Sequence, residues 1–329
     1  MSVLVTGVAG FIGMHTAQVL LERGEHVVGI DILNNYYDPA LKHARLLRLK
    51  KFENFCFEKL DFATPDAIQI LNQNHPKIDR VIHLGAQAGV RYSIDNPDQY
   101  LHSNLCGQLT ILEFCRSKLT NSKALKNFVY ASSSSVYGSN KQVPFSVENN
   151  TDNPVSFYGA TKKAGEIMVQ SYSHLYQIPS IGLRFFTVYG PWGRPDMSPY
   201  IFTKSILDGK PIKVFNNGKM KRDFTFIDDI VAGIVSALDT PPTTCGNIPP
   251  HKIYNLGNNK PVSLMEYINV IEKACNKSAI IDLQPMQPGD GLQTYADISE
   301  SIKDLGYAPI TSIEQGIPSF VNWYKSYHI

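Results

Sequence analysis

The sequence predicts an α/β protein: a doubly wound parallel sheet with a smaller, discontinuous second domain. Strand-like apolar runs alternate with helical segments through the first half of the chain. Glycines cluster directly after the first run, and proline, glycine and asparagine become frequent from about residue 191. Alternating strands and helices are typical of parallel strands joined by helical crossovers. The 329 residues are enough for two domains.

The order of the elements predicts where the two domains divide. Strands are predicted at residues 3–6, 26–31, 55–60, 80–84, 127–132 and 180–185, with helical periodicity between them. A strand followed by a helix is predicted again over 224–238, so we expect the chain to return to the large domain before it ends in the small one. The expected division assigns residues 1–185 and about 224–256 to the first domain. It assigns about 186–223 and 257–329 to the second.

The composition gives no indication of nucleic-acid, membrane or metal binding. The formal net charge is only +2, and no apolar run is long enough to cross a bilayer. The basic stretch from Lys42 to Lys51, which includes Arg45 and Arg48, is predicted to be the solvated face of a helix. The five cysteines are scattered without a Cys-x-x-Cys pair, which argues against a disulfide framework or a zinc site. A reducing, cytoplasmic location is therefore expected.

Three glycines follow the first predicted strand and open the first predicted helix. Gly7, Gly10 and Gly13 lie where a dinucleotide pyrophosphate can meet backbone amides and the amino terminus of a helix. Asp31 ends the second strand, where a carboxylate accepts hydrogen bonds from ribose hydroxyls and repels a 2′-phosphate. NAD is therefore favoured over NADP. Asp61, followed by Phe62 after the third strand, is expected either to hold the adenine amino group or to cap a helix.

A tyrosine and a lysine four residues apart form the predicted proton-transfer pair. Tyr158 and Lys162 share one face of a predicted helix, so the ammonium can lower the pKa of the phenol. The serine run 132–135 lies at the carboxyl end of a strand, the edge at which open α/β sheets bind ligands. Together these residues predict a Ser/Tyr/Lys site for acid–base chemistry on a hydroxyl group.

The chain resembles the extended short-chain dehydrogenase/reductases of the NAD-dependent epimerase/dehydratase family, and among them the UDP-glucuronate 4-epimerases. The glycine spacing and the Tyr158–Lys162 pair carry the general resemblance, which covers essentially the whole length. Longer strings at residues 83–93, 184–197 and 286–290 carry the narrower one. Counted back from the Val-Tyr-Gly at residues 136–138, the family's catalytic Ser/Thr falls on Ser133.

The resemblance implies a Rossmann-type domain that binds NAD and a smaller domain that binds a UDP-sugar in the cleft between them. It implies that Tyr158 takes the proton from O4 while C4 is oxidised, and that the transient 4-keto sugar turns over and is reduced on its other face. Lys162 would hold the nicotinamide ribose. Phe11, Ile12 and Leu84 complete the expected cofactor residues. A homodimer is expected through helices near residues 98–118 and 158–176.

The resemblance also suggests residues for the substrate. Ser134, Ser135 and Thr187 offer neutral hydroxyls that could grip the carboxylate of a uronic acid. Related decarboxylases and dehydratases carry acidic residues after the catalytic Ser/Thr, so the two serines disfavour both of those reactions. Arg194 and Arg222 are expected as cations on the nucleotide side, where guanidinium geometry suits phosphate.

Three further substrate positions are less specific. Arg91 is expected near the substrate mouth, with a structural salt bridge as the alternative. Gln287 replaces a second family arginine, and Asp290 either accepts from the nucleotide ribose or caps its turn. Two other functions remain open: 4-epimerisation of neutral UDP-hexoses, and non-catalytic sensing of a sugar nucleotide or NAD.

Overall fold

A seven-stranded parallel sheet forms the centre of the computed structural model, which describes residues 2–119, 125–286 and 291–329. Its first six strands occupy the predicted places to within two residues at each end, which confirms the predicted fold class. They are β1 (Ser2–Thr6), β2 (His26–Asp31), β3 (Phe55–Lys59), β4 (Ile78–His83), β5 (Asn127–Ser133) and β6 (Ser180–Phe185).

Helices cover both faces of this sheet because its strands are apolar on both sides. Val3 and Val5 of β1 belong to one buried cluster and Leu4 to the other, as the alternation of side chains along a strand requires. The helices are α1 (Phe11–Glu22), α2 (Pro39–Leu49), α3 (Asp66–Asn74), α4 (Tyr92–Asp95), α5 (Pro97–Tyr100), α6 (Gly107–Leu119), α7 (Phe157–Tyr176), α8 (Ser198–Asp208), α9 (Ile227–Asp239), α10 (Leu264–Cys275), α11 (Ser299–Leu305) and α12 (Ile313–His328), with a π-helical turn at Leu101–Cys106 and 3-10 turns at Ser134–Tyr137 and Phe215–Gly218.

Two small sheets are built from the second half of the chain. In the first, β9 (Lys221–Phe226) pairs in parallel with β7 (Thr187–Tyr189) and antiparallel with β11 (Pro261–Ser263). In the second, β12 (Ile280–Leu283) runs parallel to β8 (Pro211–Val214). Residues of both sheets line the outer part of the cleft described below.

The chain returns to the large sheet after this excursion. The strand and helix predicted over 224–238 are observed as β9 and α9. The strand β9 belongs to the three-stranded small sheet, whereas α9 packs against α1. The strand that completes the large sheet is β10 (His251–Leu256), giving the order β3-β2-β1-β4-β5-β6-β10. The exact domain division stays a prediction.

The prediction for the basic stretch was wrong at two positions. Arg45 is fully buried and Lys42 is 6% exposed, because both lie on the inward face of α2 with Leu41, Leu46 and Leu49. Their polar ends bond to neighbouring loops, which replaces the water that a solvated helix face would have offered.

No helix among residues 2–119, 125–286 and 291–329 is long and apolar enough to cross a membrane.

Candidate active site

A long cleft opens at the carboxyl ends of the central strands, and it has an inner and an outer part. The inner pocket is lined by the glycine-rich loop, by Asp31 and by Tyr158 and Lys162. The outer cleft is lined by residues of the small sheets, among them Arg222. Ser134, Ser135 and Thr187 line both parts, so the two are continuous. The open edge of the parallel sheet is thus where the site lies, as its topology predicts.

The glycine-rich loop has no room for side chains. Gly7 adopts a left-handed backbone (φ +67°), and a Cβ on it would lie 2.7 Å from the Cα of Gly85. The N–H of Gly10 donates to the carbonyl of Gly7 at 2.8 Å, and a Cβ on Gly13 would overlap that same carbonyl. The backbone at the amino terminus of α1 therefore faces the pocket directly, in an arrangement suited to phosphate.

Asp31 ends β2 as a buried carboxylate in the pocket wall. Its Oδ2 accepts from the N–H of Ala9 at 3.1 Å, and its Oδ1 accepts from the N–H of Leu33 at 2.8 Å. Burial raises the pKa of this carboxyl, against the influence of the Leu33 hydrogen bond and of the Lys42 charge. The ammonium of Lys42 donates to the carbonyl and side-chain oxygens of Asn34. Lys42 lines the same pocket and was missed as a site residue, although the apolar spacing of α2 places it on the inward face.

Asp61 and Phe62 follow β3, and only Phe62 is part of the pocket lining. Asp61 accepts from the N–H of Ala63 at 2.9 Å and pairs with His102, so its role towards adenine stays a prediction. The ring of Phe62 lies against two bare glycines. A Cβ on Gly85 would come within 2.5 Å of this ring, and one on Gly107 would overlap it.

Ser133, Tyr158 and Lys162 meet at the centre of the pocket. The cap of α7 is Ser156, whose hydroxyl accepts from the N–H of Gly159 at 3.0 Å and so begins the helix that carries the other two residues. Ser133, at the end of β5, lines the same pocket as Tyr158, and its hydroxyl acts to lower the pKa of the Tyr158 phenol. Lys162 donates from Nζ to the carbonyl of Ala131 at 3.0 Å, and this Nζ lies 6.0 Å from the centre of the Tyr158 ring.

The protonation equilibria of this trio depend mainly on burial. Burial raises the pKa of Tyr158, and the Ser133 hydrogen bond, followed by the charge of Arg194, acts against it. Burial lowers the pKa of Lys162 to about 8. The groups that favour the phenolate in the structure are therefore Ser133 and Arg194, in that order, whereas the sequence pointed to Lys162 for that effect.

Comparison with known proteins identifies the family. Residues 3–257 match the sequence model of the NAD dependent epimerase/dehydratase family. The chain belongs to this family. It is 45% identical over its whole length to Protein CapI of Staphylococcus aureus, covering 99% of that protein. It is 44% identical over 99% of its length to UDP-glucuronate 4-epimerase 4 of Arabidopsis thaliana, covering 76% of it.

Solved structures of 4-epimerases are similar to this chain over its whole length or nearly so. The UDP-glucuronic acid 4-epimerase of Bacillus cereus, in complex with UDP-glucuronic acid and NAD, superposes with a TM-score of 0.90 at 36% identity, with all of both chains covered. The UDP-glucose 4-epimerase of Thermotoga maritima, with UDP-glucose, gives a TM-score of 0.87 at 25% identity over 99% of both chains. The predicted family, fold and NAD dependence are confirmed.

The residues that line the inner pocket have the chemistry needed to bind NAD, the cofactor of the epimerase/dehydratase family. A dinucleotide needs a cradle of backbone at its pyrophosphate, and the glycines around Gly7 form one that any Cβ would fill. It needs an acceptor for ribose hydroxyls, which the Asp31 carboxylate supplies at the pocket wall. Phe11, Ile12 and Leu84 line the same pocket, as expected from the sequence.

The predicted substrate residues are divided between the two parts of the cleft. Arg222 and Arg91 line the outer part, where the guanidinium of Arg91 lies 4.7 Å from the centre of the Phe215 ring. Arg194 lines the inner part, so the two arginines lie in different parts of the cleft, and their predicted contact with the nucleotide stays a prediction. Arg194 shares the inner pocket with Tyr158, and its charge acts to lower the pKa of the Tyr158 phenol. Gln287 and Asp290 lie outside the described residues.

Two further groups of side chains support the site, and among their members only Arg194 was assigned from the sequence. Arg194 is paired with Asp196, which also accepts from the phenol of Tyr36 at 3.0 Å. Below the trio, the buried carboxylate of Glu166 accepts from Arg184 at 2.8 and 2.9 Å and from Ser132 at 2.6 Å. This second group ties α7 to β5 and β6. Its only sequence signal was Arg184, a charged residue in the mostly apolar strand β6.

Proposed function

We propose that this chain is an NAD-dependent 4-epimerase that converts UDP-glucuronate to UDP-galacturonate through a transient 4-keto sugar. The observation that carries the proposal is the meeting of Ser133, Tyr158 and Lys162 in one glycine-lined pocket, which opens into the second cleft. The relatives named UDP-glucuronate 4-epimerase, at 44% and 36% identity, support the same activity.

Tyr158 acts as the base towards O4 of the sugar, and Ser133 shares the hydrogen bond through which that proton moves. NAD, when bound, would supply the hydride chemistry at C4: it would act as the hydride acceptor and, once reduced, as the donor to the other face of the sugar. Since the phenol lies in a pocket that opposes its ionisation, the Ser133 hydroxyl and the Arg194 charge are needed to bring it towards the phenolate. Lys162, with a pKa of about 8, gains or loses its charge close to neutral pH.

The cofactor is held by the residues that line the inner pocket. Gly7, Gly10 and Gly13 present backbone to the pyrophosphate, and Asp31 accepts from the adenosine ribose. Lys162, on the opposite side, contacts the nicotinamide ribose. Phe11, Ile12, Phe62 and Leu84 pack around the cofactor, and Asp61 stays a candidate for the adenine amino group.

The carboxylate of the sugar is recognised where the two parts of the cleft join. Ser134, Ser135 and Thr187 line both parts and offer hydroxyl donors at this junction. A 4-keto uronic acid is a β-keto acid, so a carboxylate that can rotate freely will lose carbon dioxide. Donors that restrain its orientation therefore favour epimerisation over decarboxylation.

The nucleotide occupies the outer cleft, between the two domains. Arg222 offers a guanidinium to the diphosphate, and Arg91 with Phe215 forms a flat surface in the same cleft. The described neighbours of Arg222 include the carbonyls of Lys221 and Leu292, to which it donates. Gln287 and Asp290 are proposed to complete this end.

The protein is further proposed to form a homodimer in the cytoplasm. Exposed apolar side chains lie along the two helical segments expected at the interface: Leu101 (48% exposed) and Leu109 (44%) in the first, Ile167 (59%) and Leu175 (63%) in the second. Burying such a patch against a second copy stabilises a dimer. Sedimentation at micromolar concentration tests this, and a monomer alone would refute it. The five unpaired cysteines fit a reducing compartment.

The decisive experiment is incubation of the protein with UDP-glucuronate and catalytic NAD, followed by NMR. We expect UDP-galacturonate, no accumulation of NADH and little UDP-pentose. Tyr158→Phe should abolish turnover and leave NAD bound, because it removes the proton acceptor and little volume. A non-catalytic sensor would give no epimer with the unmodified protein either.

A second experiment distinguishes uronate from neutral sugars. Thr187→Ala should weaken UDP-glucuronate turnover and raise the share of UDP-pentose, because the carboxylate is less restrained. If UDP-glucose is turned over as well as UDP-glucuronate, or if the variant treats both alike, the chain is a 4-epimerase of neutral UDP-hexoses.

A further inference from the structure

Arg45 is a fully buried arginine whose hydrogen bonds all go to uncharged oxygens. Its Nη1 donates to the carbonyl of Ala9 at 3.0 Å and to the phenol of Tyr37 at 2.6 Å. Its Nε and Nη2 donate to the carbonyl of Trp192 at 3.1 and 2.6 Å, and Nη2 also reaches the carbonyl of Gly193 at 3.2 Å. Among residues 2–119, 125–286 and 291–329, no carboxylate lies within ion-pair distance of it. A buried charge is costly unless its donors are satisfied, so this guanidinium holds its acceptors in place.

These acceptors belong to three separate loops. Ala9 is in the glycine-rich loop and Tyr37 follows β2, so both are part of the cofactor half. Trp192 and Gly193 belong to residues 190–197, called the sugar loop here, which connects β7 to α8 and contains Arg194. Trp192 has a left-handed backbone (φ +64°), which a residue with a bulky side chain adopts only when neighbours impose it. The two hydrogen bonds from Arg45 to its carbonyl are such a constraint.

A second contact fastens the sugar loop from the same half. The phenol of Tyr36 donates to Oδ2 of Asp196 at 3.0 Å, and Asp196 forms a two-point pair with Arg194, at 3.0 Å from Nε and 2.5 Å from Nη2. The Tyr36 phenol fits there because Gly89 has no Cβ, which would lie 2.5 Å from it. Arg194 is thus held in place in two ways. Its side chain is paired with Asp196, and the carbonyl of the preceding Gly193 accepts a hydrogen bond from Arg45.

We propose that Arg45 and Tyr36 are positioning residues that set the place of Arg194 beside Tyr158. This inference rests on the proposed function, since it assigns the sugar end of the site to Arg194. The Arg194 guanidinium pairs with Asp196, and both Tyr36 and Tyr158 line the same pocket as Arg194. If Tyr36 no longer holds Asp196, the pair can turn away from the phenol. Both the binding of the sugar and the acidity of Tyr158 then weaken, while the uridine end, at Arg222, is unaffected.

The test is Tyr36→Phe, which removes one hydroxyl and keeps the ring. Calorimetric titration of the NAD-loaded protein compares UDP-glucuronate with UDP, which lacks the sugar. We expect the Kd of UDP-glucuronate to rise about tenfold, as the loss of a hydrogen bond to a charged group implies, and that of UDP to change less than about twofold. The matched control is Tyr92→Phe, because the Tyr92 ring packs at 4.8 Å on that of Tyr36 and the change removes the same atom. The control should leave both constants unchanged.

The pH dependence of kcat/KM adds a readout that general loosening would not move. In Tyr36→Phe the apparent pKa of the essential base should rise, because Arg194 no longer favours the phenolate. Arg45→Lys should behave in the same way, with a smaller effect than Arg45→Met, since one amine can still reach one carbonyl. Equal weakening of UDP and UDP-glucuronate, or no change in either, would overturn the proposal. The binding ratio needs no turnover, so a failure of the proposed epimerisation would be seen separately, as absence of UDP-galacturonate from the unmodified protein.

Discussion

Replacing Gly7 by alanine tests whether the glycine-rich loop is shaped by close backbone contact. A Cβ at this position would lie 2.7 Å from the Cα of Gly85 and 2.8 Å from its nitrogen, whereas ordinary van der Waals contact begins near 3.4 Å. Both neighbouring atoms belong to backbone, so neither can rotate away. The glycine-rich loop itself must move. Its backbone amides, which are proposed to bind the pyrophosphate, move with it.

The expected magnitude has two parts. A left-handed backbone costs an alanine about 1–2 kcal/mol relative to glycine. Overlap with fixed neighbours adds about 1–3 kcal/mol. Gly306 has almost the same φ, +62° against +67° at Gly7, and a Cβ added there would meet no atom within 4 Å. Gly306→Ala therefore carries the first part alone, and the difference between the two variants isolates the overlap.

Chemical unfolding and NAD titration measure both parts. Gly7→Ala should lower the free energy of unfolding by about 1–3 kcal/mol more than Gly306→Ala. It should also raise the Kd of NAD at least about tenfold, which is equivalent to about 1.4 kcal/mol of binding free energy. Equal unfolding losses in the two variants together with an unchanged NAD affinity would refute the argument, because the loop would then tolerate a side chain that its geometry excludes.

Three other substitutions follow from the buried charges. Glu166→Gln should cost about 3–5 kcal/mol of unfolding free energy in urea, since it leaves the Arg184 guanidinium buried without its counter-charge; a loss below about 1 kcal/mol would mean that water replaces the carboxylate. Lys162→Met should remove a rise in the stability of the cofactor-free protein between pH 8 and 10.5. Over that interval the unfolded lysine holds its proton and the folded one, with a pKa of about 8, does not, and thermal melts of both proteins across the interval measure the difference. Asp31→Asn should lower the preference for NAD over NADP about tenfold or more in paired titrations, and an unchanged preference would place the ribose elsewhere.

The sequence was sufficient for the fold and for the centre of the site because both depend on local patterns. Apolar runs with intervening helices predict the strands of a buried parallel sheet, and glycine spacing marks the cofactor loop. Ser133 and Tyr158 are 25 residues apart, yet each lies at the end of a predicted element, so topology alone brings them to one edge.

The remaining features depend on contacts between distant loops, which no periodicity encodes. Arg45 was predicted to be solvated because charged residues on a helix usually are, and its acceptors at Trp192 and Gly193 are almost 150 residues away. The part of the cleft in which Arg194 lies could not be predicted either, because it also depends on contacts between residues far apart in the chain. Its position follows from its pairing with Asp196 and from the hold of Tyr36 on that carboxylate, neither of which can be predicted from the string that contains it.

The bare glycines on either side of the Phe62 ring have a consequence for how this chain can change. Positions 62, 85 and 107 share one volume, so a methyl group gained at Gly85 or Gly107 has to be offset by a smaller side chain at Phe62. We expect the protein to fold when a glycine substitution is combined with a smaller residue at Phe62, and to be destabilised by the glycine substitution alone. Conversely, shortening Phe62 alone opens space in the inner pocket, where the cofactor is proposed to bind. A bulkier synthetic dinucleotide is then expected to bind the variant and not the natural chain.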